Sequence, residues 1–203
     1  MAVHGSALEI HVHLEDGRVA KFVQSDPVLA RKTLTLIHPG KLFSQRLITI
    51  HGDHSLTAYP CASIVRIDFV TDMALDWPFH HGAIAIDQIL PTEFEERCLA
   101  AITARRKSSG PPTPGEPITL YAQQELVNGE RLFLEVHTTL QVRTSVDQNV
   151  FINNLFSSGG LHARRREGGM IIVNPAKLVS MALHPGPMEY TPGSWLANPM
   201  HGL

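Results

Sequence analysis

The sequence predicts a mainly β protein, α+β by content, in which a small antiparallel β unit occurs twice and one helix connects the copies. Three observations lead there. Apolar and polar residues alternate with period two over short runs such as 7–14, the pattern of strands with one buried face. Asp16-Gly17 and Asn128-Gly129 each lie between two such runs, and these dipeptides mark tight hairpins because the turn needs positive φ. The stretch 42–70, LFSQRLITIHGDHSLTAYPCASIVRIDFV, is echoed by 155–183, LFSSGGLHARRREGGMIIVNPAKLVSMAL. Leu42-Phe43-Ser44 meets Leu155-Phe156-Ser157, Pro60 meets Pro175, and Ile64 meets Val179. The two turn dipeptides fall at nearly the same spacing, about 113 residues, and several landmarks in one order point to an internal duplication.

Taken in order, 7–14 puts Leu8, Ile10, Val12 and Leu14 on one face and Glu9, His11 and His13 on the other. The chain returns over 19–23. Asp26 before Pro27 is a helix start, an N-cap followed by proline at the first helical position, although Thr33 and Thr35 weaken the helix that follows. His38-Pro39-Gly40 ends it. Three short strands come next, over 46–50, 55–59 and 64–70, with Gly52-Asp53 turning the first pair. Positions 83–90 read as another short strand. The clearest helix is 93–106: Thr92 precedes it with Glu95 three residues on, a capping box. Its Phe94, Cys98, Ala101, Ile102 and Arg105 share a face, and Arg105, Arg106 and Lys107 suit the negative end of its dipole.

The Pro/Gly-rich run 108–117 is the linker. Strands follow over 118–126 and 132–142, a short helix within 147–156, a hairpin joining 164–166 to 170–173, and a last strand over 178–183. The division is a first β unit over 1–72, a connecting segment over 73–117, a second β unit over 118–185, and a Pro/Gly-rich tail over 186–203 carrying Met188, Tyr190, Trp195, Leu196 and Met200. Strands in this order curl into small, partly open barrels, SH3-like or Sm-like in architecture. The helix 93–106 then covers an open side or an edge strand.

Composition narrows the function. A net charge of −2 gives no global attraction to nucleic acid or to an anionic membrane. No apolar run reaches transmembrane length, and the opening residues carry His and Glu where a secretory signal has its apolar core. The two cysteines, Cys61 and Cys98, form no C-x-x-C, so the expected setting is cytoplasmic and reducing.

Two residue groups carry possible chemistry. His11 and His13 share a strand face, and His51 and His54 flank a tight turn. Together they would offer three or four imidazoles to zinc, with an oxygen from Asp53 or Asp68, if the two elements are neighbours. Yet His11 and His13 align with Gln123 and Glu125 in the second unit, so the fold does not require them. His80-His81, beside Trp77 and Phe79, is a third histidine pair. Arg164, Arg165 and Arg166 form the densest charge run, and guanidinium forks suit phosphate or carboxylate; the alternative is a basic hairpin paired with the chain's own acids. Glu93, Glu95 and Glu96 are explained by their place in a helix's first turn. No P-loop or dinucleotide fingerprint occurs.

The expected function is a non-enzymatic binding or assembly module without a cofactor. Its tail and sheet edges would contact a protein partner or another copy of the chain, with neither membrane nor nucleic acid among the partners. A zinc-dependent enzyme using His11, His13, His51 and His54 is the alternative, and an anion or nucleotide binder using Arg164–Arg166 a further one.

Overall fold

The computed structural model describes residues 7–79, 83–107, 115–139 and 153–186, with Trp195 and Ala197. Most of the expected tail, residues 108–114 of the expected linker, and the pair His80-His81 lie outside the described residues. The elements are β1 (Leu8–Leu14), β2 (Val19–Gln24), α1 (Pro27–Thr35), β3 (Leu47–His51), β4 (Leu56–Pro60), β5 (Ile64–Val70), β6 (Ala83–Gln88), α2 (Pro91–Lys107), β7 (Pro117–Leu126), β8 (Arg131–Thr139), β9 (Leu161–Arg164), β10 (Met170–Val173) and β11 (Leu178–His184). Short 3-10 turns at Pro39–Ser44, Cys61–Ser63 and Pro175–Lys177 punctuate them.

The protein is mainly β, and nine strands form one sheet in the order β11-β7-β8-β6-β9-β10-β5-β1-β2. All neighbours are antiparallel except β6 and β9. β3 and β4 form a separate hairpin. The sheet is not closed into a barrel, which corrects the expectation of two small, partly open ones. The reason lies at β10: it pairs along β5 from Met170↔Phe69 to Val173↔Arg66, so strands from both halves of the chain join one sheet. Asn174 locks that junction. Its side-chain N–H groups donate to the carbonyls of Cys61 at 3.1 Å and Ile64 at 2.9 Å, and its backbone N–H donates to Val65 O.

The local reading holds where the signals are local. Asp26 caps α1, accepting from the amides of Val28 at 2.7 Å and Leu29 at 3.3 Å. α2 begins two residues earlier than the expected 93–106, and Thr92 lies inside it rather than at its N-cap. Pro91 takes the first turn, and Glu93, not Glu95, reaches back to accept from the Leu90 amide at 2.9 Å.

Register carries each face across the sheet. Val12, Ile67, Ile172 and His162 lie opposite one another, and the same face continues through Arg164, Asp87, Glu135 and Tyr121. Helices α1 and α2 cover this face. α1, the Pro39–Ser44 turn and the β3–β4 hairpin pack on the core of Leu8, Val12, Ile67, Phe69 and Ile172. α2 packs Phe94 and Cys98 on Tyr121 and Phe133. The opposite face curls inward. Leu126 and Leu132, at the β7–β8 turn, pack against Val65, Ile171 and Val173, which brings that turn over β5 and β10.

Candidate functional site

The inward face carries two adjoining features, one charged and one apolar. The charged one starts from β5, IVRIDFV, where Arg66 and Asp68 alternate with Ile67 and Phe69 and therefore point away from the helix-covered core. On β1, His13 stands opposite Arg66 and His11 opposite Asp68. Glu130 arrives from the β7–β8 turn and Arg165 from the end of β9. His13 Nε2 donates to Asp68 Oδ2 at 3.2 Å, and its Nδ1 lies 3.4 Å from Glu130 Oε1. Arg66 Nε is 3.4 Å from both Asp68 Oδ1 and Glu130 Oε2. Arg165 lies 3.9 Å from Asp68 and 3.7 Å from Glu167. His11 bonds Glu9 at 2.9 Å on the same strand.

With a carboxylate oxygen 3.2 Å from one ring nitrogen and 3.4 Å from the other, the surroundings of His13 favour its protonated form. Burial pulls its pKa down, but hydrogen bonding to Asp68 and Glu130 outweighs this and raises it above the ordinary 6.5. Arg66, whose Nη2 sits 3.4 Å from the same Nε2, opposes the charge. Burial pushes the Asp68 carboxyl up, yet His13, Arg66 and Arg165 hold it below its ordinary value. Glu130 is lowered chiefly by its bond to His13. His13 and Asp68 form the buried centre of the group, at 8% and 4% exposure, while Glu130 reaches its edge with a side chain 35% exposed. Such a cluster fastens β1, β5, the β7–β8 turn and the β9–β10 hairpin together.

Beside it, β6 to β11 enclose a partly open cavity of about 90 Å³, walled by Leu120, Leu134, Val136, Ala163, Met181 and their neighbours. Gln124, Thr138 and His162 are the polar residues among the described wall residues. Gln124 Nε2 donates to Met181 Sδ at 3.9 Å, and its buried Oε1 has no hydrogen-bond partner among the described residues.

The residues singled out in sequence are dispersed. His11 and His13 lie on the inward face, engaged with Glu9, Asp68 and Glu130. His51 and His54 are exposed at the end of the β3–β4 hairpin, which packs on the opposite face. Among the described residues, no three His, Cys, Asp or Glu side chains converge as a metal-binding group. The arginine triplet is paired with the chain's own acids: Arg164 with Asp87 at 2.9 Å, Arg165 as above, and Arg166 with Glu93 at 3.8 Å. Arg164 also lies over the Phe79 ring, 5.7 Å from its centroid. Burial raises the Cys61 thiol pKa and pushes Cys98 up to about 11, which makes both poor nucleophiles.

Sequence reasoning missed Arg66, Glu130 and Gln124. A signal for Arg66 was present, since Arg66 and Asp68 are two charges on one side of an otherwise apolar strand. Gln124 was hidden in the run Gln123-Gln124-Glu125, where polarity masks alternation. No protein-family model matches the chain, and no curated protein or solved structure matches it.

Proposed function

We propose that the protein is a non-enzymatic binding or assembly module built from two related β units, 1–72 and 118–185. Support for the relatedness is local and repeated. The Leu14 amide donates to Arg18 O and the Leu126 amide to Glu130 O, both at 2.9 Å. Gly17 and Gly129 close the two turns at φ 82° and 83°. Each hairpin meets its third strand with a register irregularity at the same step, beside Leu14↔Ile64 in one and Leu126↔Leu178 in the other. Each third strand follows a 3-10 turn. On this alignment Leu178 corresponds to Ile64, one residue before the match that the sequence echo suggests.

The assembly reading rests on the open sheet edges. β2 and β11 end the sheet among the described residues, and they expose Val19 (41%), Val23 (61%) and Val179 (61%). Unpaired backbone groups on such edges template pairing with another chain. The junction of β10 with β5 is the same kind of edge-to-edge contact within one chain. The setting in this reading is cytoplasmic, supported by the two buried free thiols. Among the described residues no helix is long and apolar enough to cross a membrane.

Native mass spectrometry of untagged protein over a wide concentration range tests the proposal. The wild type is expected as a multimer, and Val23→Lys or Val179→Lys weakens it at least tenfold, about 1.4 kcal/mol. A monomer at every concentration would sink self-assembly. An added mass of one zinc per chain would replace this reading with the metal-dependent one.

A further inference from the structure

We propose that two copies of this chain associate through the free edge of β3, which pairs antiparallel with itself about a two-fold axis at Thr49. This rests on the assembly reading and names its partner, a second copy, and an edge outside the nine-stranded sheet. Among the described residues β3 and β4 pair only with each other. One face of the hairpin packs on the core through Ile48, Ile50 and Tyr59. The other holds Leu47, 51% exposed, and Leu56, 59% exposed. Two strands make a marginal sheet, and added strands stabilise it.

Hydrogen bonding decides which backbone groups are left over. The Gly52 amide donates to Ser55 O at 2.8 Å, and the Cys61 amide to Arg46 O at 3.0 Å, at the two ends of the hairpin. The register between them runs from Leu47↔Pro60 to His51↔Leu56. Bonded and non-bonded pairs alternate along it, so Ile48 and Ile50 turn their backbone groups toward β4. Leu47, Thr49 and His51 turn theirs outward. An axis at Thr49 sets that residue against its own copy and Leu47 against the other copy's His51. Outward groups then meet outward groups throughout, which closes about six backbone hydrogen bonds.

The side chains match in the same register. β3 reads LITIH and carries no acid, Lys or Arg. Ile48 falls opposite Ile50 of the other copy on the core side, and the two Thr49 side chains form a favourable pair on the other. The flanks are complementary in charge. Arg46 precedes the strand and Asp53 follows it; both are exposed, and neither side chain has a partner among the described residues. The axis brings each Arg46 opposite the other copy's Gly52, next to its Asp53. Such pairs add little energy at a surface, but they fix register. Other edges suit a two-fold less. The Leu14 amide donates to Arg18 O, so β2 turns Val19, Lys21 and Val23 outward, and an axis there sets Lys21 against itself. β4 ends in Pro60, which has no N–H. β11 is interrupted by a register irregularity between Leu178 and Ser180.

The test uses three variants of the full chain. Bonded antiparallel neighbours lie about 5.5 Å apart at Cα, within reach of a disulfide, and the native cysteines are buried. Under mild air oxidation Thr49→Cys is expected to cross-link into a dimer. Leu47→Cys, whose two copies would lie about 13 Å apart along the strands, is expected to do so at least tenfold less. Sedimentation velocity over a concentration range is expected to show a wild-type dimer that Thr49→Lys, at an exposed site, weakens at least tenfold. Equal cross-linking at the two positions would overturn the axis. A wild-type multimer untouched by Thr49→Lys would overturn this edge, and its weakening by Val23→Lys or Val179→Lys would leave the assembly reading standing. A wild-type monomer at every concentration would end both.

Discussion

His13 has a carboxylate oxygen facing each ring nitrogen, and that arrangement makes its proton part of the fold. Its raised pKa has a definite consequence. A group whose folded value lies above its unfolded one contributes stability that is complete below the unfolded value, here 6.5, and is lost as pH rises through the folded one. Asp68 and Glu130 run the other way: their contributions are present above their ordinary 3.8 and 4.5 and vanish as acid protonates them. The cluster therefore supports the fold best between 4.5 and 6.5. Replacing His13 by Gln leaves Asp68 and Glu130 to Arg66 and Arg165 alone, at a cost of about 2 kcal/mol on the acid side of neutrality. That cost is expected to shrink as pH rises above 6.5, because the wild type then loses the same proton. Urea midpoints of both proteins over a pH series check this. His184, whose pKa burial lowers, titrates in both and cancels in the difference. A gap independent of pH would show that His13 matters only for packing.

The elements show why one hairpin enters the large sheet and the other does not. β10 ends at Asn174, whose amide bonds the chain around Ile64 and Cys61, and the 3-10 turn Pro175–Lys177 follows. The corresponding place before the turn Cys61–Ser63 is Pro60, which has neither a side-chain amide nor a backbone donor. So β4 pairs only with β3. Backbone approach at the β9–β10 hairpin is the other requirement. Gly169, at φ 82°, leaves room for Phe69 O, which would lie 1.8 Å from an added Cβ. Gly169→Ala is expected to cost about 3 kcal/mol or more and to speed amide exchange across β10. Gly17, at the same φ but with open space around it, should cost only about 1 kcal/mol when changed to Ala. Equal losses at the two sites, read from urea unfolding, would remove the steric argument. This contrast also marks what was legible in the sequence. The Asp-Gly and Asn-Gly hairpins, the Asp26 cap and the helix around 93–106 are written within a few residues each. The β10–β5 junction links Asn174 to Ile64, 110 residues apart, and no local pattern announces it. The charged cluster was half legible, since His13 and Asp68 drew notice as metal ligands, but Glu130 and Arg165 reach them only through the curl of the sheet.

For the molecule as a whole, that curl decides how the halves depend on each other. β5 belongs to the first hairpin through β1 and to the second through β10. Its Val65 packs with Leu126, Leu132 and Leu161, and its Arg66 shares Glu130 with His13. Removing either half would strip β5 of a paired edge and leave the charges of the inward face without partners. Two units that could each stand alone would instead keep their cores separate and meet at a polar boundary. Unfolding is therefore expected to be one cooperative transition. Trp77, edge-on to Phe69 of β5 at 5.6 Å and to His162 of β9 at 6.4 Å, reports on the packing where the halves meet, and the Met181 methyl beside Gln124 reports on the second half. In a Trp195→Phe background, which leaves Trp77 as the only indole, fluorescence and methyl NMR should give the same urea midpoint and slope. Two separated midpoints would mean that the β10–β5 junction is a contact between independent units, and the assembly reading would then have to treat each unit as its own binding module.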